Sequence, residues 1–294
     1  MNYSYERKIG FIGAGKVGCS LGKLFAQSGI PLSGYCSRSM KSAREAAEFT
    51  MSAAYENAAD LVQDSDLIFL TVPDGMIRNV YEKLLREDLL RSRLLYHCSG
   101  ALSASQAFPG IEAVGAGGAS VHPIFPVSGR FTVYQELQEA FFCIEGDPVA
   151  LSAAQDLLSQ CGIRYQTIVP ENKTKYHAGC VFASNLVCAL MQQSFDLLCE
   201  CGFTQEGARA ALRPLILRNL THVLEDGAVQ ALTGPVERCD AGTVAAHLNV
   251  LDGQAEEMYR VLSRSLVSIA QEKHPQTDYA KLRKLLDDTG DADT

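Results

Sequence analysis

Lys8-Ile9-Gly10-Phe11-Ile12-Gly13-Ala14-Gly15-Lys16-Val17-Gly18 is the stretch that decides the fold. The run Lys8 to Ile12 reads as a buried strand. Lys16 to Ser28 reads as a helix, with Val17, Leu21, Leu24 and Phe25 on one side and Gly29 at its end. Between them lies G-x-G-x-x-G, a weak pattern alone that gains meaning from a strand before it and a helix after it. In that setting Gly13 permits a tight turn and Gly15 lets the backbone approach a pyrophosphate. Gly18 lets the helix pack close to the strand, while Lys16 and Val17 open a helix whose free N–H groups face the phosphates.

Outward from this loop, short apolar runs alternate with amphipathic segments. Strands are predicted at Pro31 to Cys36, Asp66 to Val72, Arg93 to Cys98, Ser120 to Ile124 and Phe141 to Glu145. Helices are predicted at Met40 to Phe49, Asp74 to Arg86 and Pro148 to Cys161. Repeated strand–helix–strand units predict a doubly wound parallel Rossmann sheet. After Ile168 the pattern becomes helical. Glu171 to Cys201 reads as one long helix, Gln205 to Glu225 as another interrupted by Pro214, and Ala228 to Cys239 as a loop. Asp240 caps a helix through Leu251, Gly253 opens one to about Lys273, and Thr277 caps the last. The expected organisation is a nucleotide-binding domain over residues 1–168 and an all-α substrate and dimerisation domain over residues 169–294.

The choice of nucleotide is written at the end of the second strand. NAD-binding units place Asp or Glu there to hold the ribose 2′-hydroxyl. This chain has Cys36-Ser37-Arg38-Ser39 instead. Ser37 and Ser39 can donate to a 2′-phosphate and Arg38 can pair with it, so NADP(H) is expected over NAD(H). Thr71-Val72-Pro73-Asp74 ends another strand, where Val72 and Pro73 would pass beneath the cofactor. Asp74 reads as a helix cap rather than a chemical group.

Four places can carry chemistry. Ser99, in His97-Cys98-Ser99-Gly100, stands at the carboxyl end of a strand, where such sheets bind ligands. His122, in Val121-His122-Pro123, is held extended by the proline and, with an ordinary pKa near 6.5, suits acid–base work. Its alternative role is structural. His177, Ser184 and Asn185 are two helical turns apart and share one broad face of the predicted long helix. They either position a substrate or bond to other helices. Finally, Arg238 can clamp a carboxylate, with Thr243 and His247 nearby; Arg238 and His247 equally suit contacts between subunits, and Asp240 reads as a cap.

Composition excludes several classes. A net charge of −8 argues against broad nucleic-acid binding, which needs clustered Lys and Arg. The polar start, Met1 to Lys8, lacks a signal-peptide apolar region, and no uninterrupted apolar run approaches membrane-spanning length. A cytoplasmic location with no membrane partner is expected. The ten cysteines include no C-x-x-C pair, so neither a metal site nor a disulfide framework is expected.

Gly13 to Gly18, Thr71 to Asp74, His97 to Ala101, His122-Pro123, Ser184-Asn185 and Leu232-Thr233-Gly234-Pro235 together resemble one group across nearly the whole chain. It is the bacterial Rossmann-like NADP oxidoreductases with a helical C-terminal domain of unknown function. Wider relatives are the pyrroline-5-carboxylate reductase, ketopantoate reductase, prephenate dehydrogenase and 6-phosphogluconate dehydrogenase families. His122-Pro123 is similar to the His-Pro of prephenate dehydrogenases, and Ser99 to their substrate-binding Ser. The catalytic Lys that β-hydroxyacid dehydrogenases and ketopantoate reductases carry four residues before an Asn is Val181 here. The resemblance implies an oxidoreductase that dimerises through its helical domain. Its substrate would be a small, anionic carbonyl, imine or secondary alcohol bound between the domains. The alternative is a non-enzymatic NADP-binding redox sensor.

Overall fold

The computed structural model describes residues 6–288. Its packing divides the chain after Ser184. The first unit holds eight strands: β1 (Ile9–Ile12), β2 (Leu32–Cys36), β3 (Ala53–Tyr55), β4 (Leu67–Leu70), β5 (Leu94–His97), β6 (Gly117–Ile124), β7 (Phe141–Gly146) and β8 (Arg164–Thr167). They form one sheet in the order β3-β2-β1-β4-β5-β6-β7-β8. Helices α1 (Lys16–Gln27), α2 (Met40–Thr50), α3 (Ala58–Gln63), α4 (Asp74–Arg86), α5 (Ala104–Ala107) and α6 (Pro148–Gln160) connect the strands, and α7 (Lys173–Phe182) closes the unit.

The order reverses between β1 and β4, the point where such sheets bind ligands at their carboxyl ends. Four paired aromatics mark one face of the sheet: Tyr35, Phe11, Phe69 and Tyr96 stand side by side on β2, β1, β4 and β5. Their rings lie about 5 Å apart and form the middle of the core on that face. Every pairing is parallel except β6 with β7. No crossover helix separates that pair, and without one the chain can only return antiparallel. The edge strands are missed by the sequence pattern: β3 is only three residues long, and β8 carries the polar Arg164, Gln166 and Thr167.

The second unit consists of α8 (Asn185–Glu200), α9 (Gln205–Ala231), α10 (Ala241–Leu248), α11 (Gly253–Lys273) and α12 (Ala280–Asp287). Val236, Val244, Leu248, Val267, Tyr279, Leu282 and Leu286 form its core. Asp240 caps α10, accepting from the Thr243 N–H at 3.0 Å.

Several boundaries differ from the sequence reading. The helix predicted over Glu171 to Cys201 is two helices. No Gly or Pro marks the break; instead the Ser184 hydroxyl turns back onto the Cys180 carbonyl at 2.7 Å. His177 and Asn185 therefore do not share one continuous helical face. The first unit ends at Ser184 rather than Ile168 because α7 packs its Lys173 and Tyr176 onto β6. The helix of α9 breaks at a kink at Gly227 (φ 82°, ψ 161°), and residues 228–231, expected in a loop, form a further short helical turn after it. Thr277 does not cap the last helix: α12 opens after Tyr279, with Asp278 accepting from the Ala280 N–H.

Candidate active site

The glycine loop takes its shape from Thr71. Gly13 has φ +114°, and a Cβ there would meet the Thr71 carbonyl oxygen at 2.5 Å. A Cβ on Gly18 would collide with the Thr71 hydroxyl and the Gly13 carbonyl. That hydroxyl donates to the Gly13 carbonyl at 2.8 Å and so ties the turn to β4. Gly15 is different: the nearest heavy atom to its added Cβ lies 3.9 Å away. Two glycines thus serve the protein's own packing, and the third keeps an exposed surface bare. Helix α1 begins there with no side-chain cap and no acidic residue in its first turn, whereas α2, α3 and α6 are capped by Ser39, Asn57 and Asp147. Uncapped N–H groups beside a bare backbone fit a phosphate.

Of the other residues assigned to the nucleotide, Lys16 is exposed and Val17 half-buried at the start of α1. Val72 and the exposed Pro73 lead into α4. Ser37 is half-buried after β2, followed by exposed Arg38 and Ser39, whose hydroxyl accepts from the Ser42 N–H at 3.3 Å as the α2 cap. No carboxylate stands on this segment.

Next along the sheet, β5 and β6 bring the chemistry. His122 and Ser120 are two apart on β6 and so face the same side. Helix α7 meets them with two rungs: the Lys173 amine donates to the Ser120 hydroxyl at 2.6 Å, and the Tyr176 hydroxyl lies 2.7 Å from His122 Nδ1. The His177 ring stands 6.3 Å from that of His122, nearly perpendicular. Gly100 makes room for both, since a Cβ there would meet His177 at 2.5 Å and His122 Nε2 at 2.9 Å.

Burial sets the charges of this cluster. It pushes His122 down to about 4, helped by the neighbouring Lys173 charge and by His177. The expectation of a histidine titrating near neutrality is therefore corrected: His122 is a neutral imidazole at physiological pH. Burial also lowers Lys173, only 1% exposed, and raises the Tyr176 phenol, which keeps its proton. His97 beneath them is pushed to about 3 by the same cause, and the Cys98 thiol up to about 12. Glu145 is fully buried and raised by burial; one of its oxygens accepts from the Ala104 N–H at 2.9 Å.

Ser99 is not free to work with His122. Its hydroxyl donates to the Asp74 carboxylate at 2.6 Å and accepts from the Ala101 and Leu102 N–H groups. Asp74 is accordingly the first residue of α4 and the partner of Ser99, not a cap. Lys173, Tyr176, Asp74 and Thr71 are the residues that sequence reasoning missed. The signal for two of them was Lys173-Thr-Lys-Tyr176-His177: Lys173 stands four residues before His177, one helical turn away, whereas the position four before Asn185 is Val181.

The other assigned residues are placed as follows. Ser184 ends the first unit and Asn185 opens α8 in the second. In the second unit Thr243 donates its hydroxyl to Asp240 at 2.7 Å, His247 Nδ1 lies 2.8 Å from the Tyr259 hydroxyl, and Arg238 is exposed. All ten cysteines are free thiols, and no group of His, Cys, Asp and Glu suited to a metal occurs among the described residues. An open cavity of about 490 Å³, lined by Asp66, Arg93, Gly117 and Asp147 among others, lies at the amino-terminal end of the sheet, opposite the site.

Residues 8–96 match the family model described as NADP oxidoreductase, coenzyme F420-dependent. Residues 140–266 match a domain of unknown function, DUF2520. The two models match separate parts of the chain, the first over β1 to β5 and the second from β7 into the helical unit. No curated protein matches it. Among solved structures, a Thermotoga maritima protein is similar at 24% identity and a TM-score of 0.71, over 90% of this chain and 99% of that one. A candidate NADP oxidoreductase from Bacteroides fragilis follows at 22% and 0.65, over 89% and 98%. An imine reductase variant from Myxococcus stipitatus, solved with NAD+, is similar at 18% and 0.63, over 96% and 99%. At these identities the shared property is the fold, and it extends through both units of this chain.

Proposed function

We propose that this protein is an NADP(H)-dependent oxidoreductase acting on a small carbonyl, imine or secondary alcohol. The observation that carries the reading is the glycine loop: Gly13 and Gly18 are locked against Thr71 while Gly15 leaves bare backbone beside an uncapped helix. The family description of residues 8–96 supports it. A bound nicotinamide supplies or accepts the hydride. The chain's own residues manage the proton: Tyr176 and His122, 2.7 Å apart, share a hydrogen bond through which either can pass one to or from a substrate oxygen or nitrogen. The His177 ring stands beside that of His122, 6.3 Å away. The preference for NADP over NAD rests on Ser37, Arg38 and Ser39 in place of a carboxylate.

The test is titration with NADPH and NADH, followed by screening 2-keto acids, cyclic imines, small alcohols and coenzyme F420 for absorbance change. Expected are NADPH affinity about tenfold or more above that for NADH, a gap that Arg38→Ala closes, and turnover of one substrate class. No binding of either nucleotide overturns the reading; binding without turnover favours the redox sensor.

The helical unit points to a second copy. Helix α8, Asn185-Leu-Val-Cys-Ala-Leu-Met at its start, has no buried residue, and Leu217, Leu220 and Leu224 recur at helical spacing on α9, all exposed. The stretch Pro170–Glu200 is apolar enough to cross a membrane by length and composition, but α7 within it plants the buried Lys173 on β6. We assign the exposed face of α8 and α9 to a homodimer. Light scattering should give twice the chain mass, and Leu220→Glu with Leu224→Glu should halve it. A monomeric parent chain, or one that partitions onto lipid vesicles, contradicts this.

A further inference from the structure

The segment between β6 and β7 begins just after His122 and Pro123. Phe125 and Val127 pack against the core, and the chain then returns across the first two helices. At its far end Arg130 spreads its guanidinium over three acceptors. Nε donates to the Ala14 carbonyl at 2.9 Å, one terminal nitrogen to the Ser42 carbonyl at 2.7 Å, and the other to the Glu45 carboxylate at 2.6 Å. Ala14 lies inside the glycine loop; Ser42 and Glu45 lie on α2, which starts where the nucleotide's ribose end is expected. The arm is anchored beside this fork, with Phe131 and Tyr134 edge-on to Phe49 at 4.9 and 5.5 Å. Lys23 donates to the Phe49 carbonyl at 2.7 Å.

We propose that Arg130 is a positioning residue for the nucleotide: it braces the glycine loop against α2 and so sets the spacing of the two walls that hold the cofactor. The inference rests on the nucleotide-binding reading above. Only a planar guanidinium can reach three acceptors in one plane, so lysine is a poor substitute. The brace acts on the loop that NADPH and NADH both use. It therefore predicts a loss common to both, unlike a contact with the 2′-phosphate.

The experiment is fluorescence titration of the full chain with NADPH and NADH, beside thermal unfolding without nucleotide. Arg130→Ala should weaken both nucleotides by about tenfold, and Arg130→Lys should recover only part of this. Glu45→Gln, which keeps an acceptor but removes the charge, should cost both about threefold. Unchanged affinity in Arg130→Ala overturns the proposal. So does a loss confined to NADPH, which would make Arg130 a phosphate ligand. Should Arg130→Ala fail to fold, Glu45→Gln decides: parent-like affinity for both nucleotides overturns the brace. If the parent chain itself binds no nucleotide, it is the underlying functional reading that fails.

Discussion

Gly15→Val is expected to fold like the parent chain and to lose the nucleotide. Gly15 has φ −83° and ψ −168°, ordinary extended geometry for a β-branched residue, and its Cβ would point into open space. Exposed substitutions free of strain usually change stability by about 0.5 kcal/mol or less, so the unfolding temperature without nucleotide should move by roughly 2 °C or less. The valine methyls would stand on the surface where phosphate oxygens must approach backbone N–H groups. NADPH affinity should fall about 100-fold or more, equivalent to about 3 kcal/mol. Gly13→Ala separates the two effects badly. Its positive φ costs about 1–2 kcal/mol for any L residue before the clash with the Thr71 carbonyl is added. Calorimetric or fluorescence titration is the check. Parent-like NADPH affinity in Gly15→Val would mean that the loop does not hold the phosphates.

The second large effect concerns the proton pair. With any substrate that turns over, His122→Ala and Tyr176→Phe should each cut kcat by about 100-fold or more, the scale of acid–base catalysis. NADPH affinity should stay within about threefold. Burial and the Lys173 charge hold His122 down at about 4, so the imidazole is neutral across the physiological range. It gains a proton, and loses its ability to accept one, only as pH falls through about 4. The acid limb of the kcat profile should therefore lie well below the 6.5 of an ordinary histidine. Lys173→Met removes a positive charge that disfavours the imidazolium, so the limb should move to higher pH. Full turnover in Tyr176→Phe would remove the pair from the mechanism.

How legible each part was depended on the range of the forces behind it. The strand, turn and helix around Gly13 to Gly18 are local. Apolar periodicity, a left-handed turn and close helix packing all leave marks within about twenty residues. The carboxyl-end position of Ser99 and His122 also followed, because parallel strands bind ligands there. The break at Ala183 and Ser184 was not legible, since the residues around it continue an apolar helical pattern through the serine whose hydroxyl bonds back to the Cys180 carbonyl. Asp74 reads as a cap in the sequence because its partner, Ser99, is 25 residues away, just beyond the end of β5, the strand next to β4.

The sequence by itself determined the alternation of strands and helices, the nucleotide loop, the helical character of the second half and the absence of a carboxylate after β2. Tertiary structure alone decided which polar groups meet. Tyr176 reaches His122, and Lys173 reaches Ser120, across more than fifty residues of chain, and Arg130 reaches Ala14 across 116. It also decided their charges. A histidine carries its pKa in the sequence only as an average, and whether it is charged at pH 7 depends on how much water and which cations surround it. Neither is fixed until α7 has packed against β6.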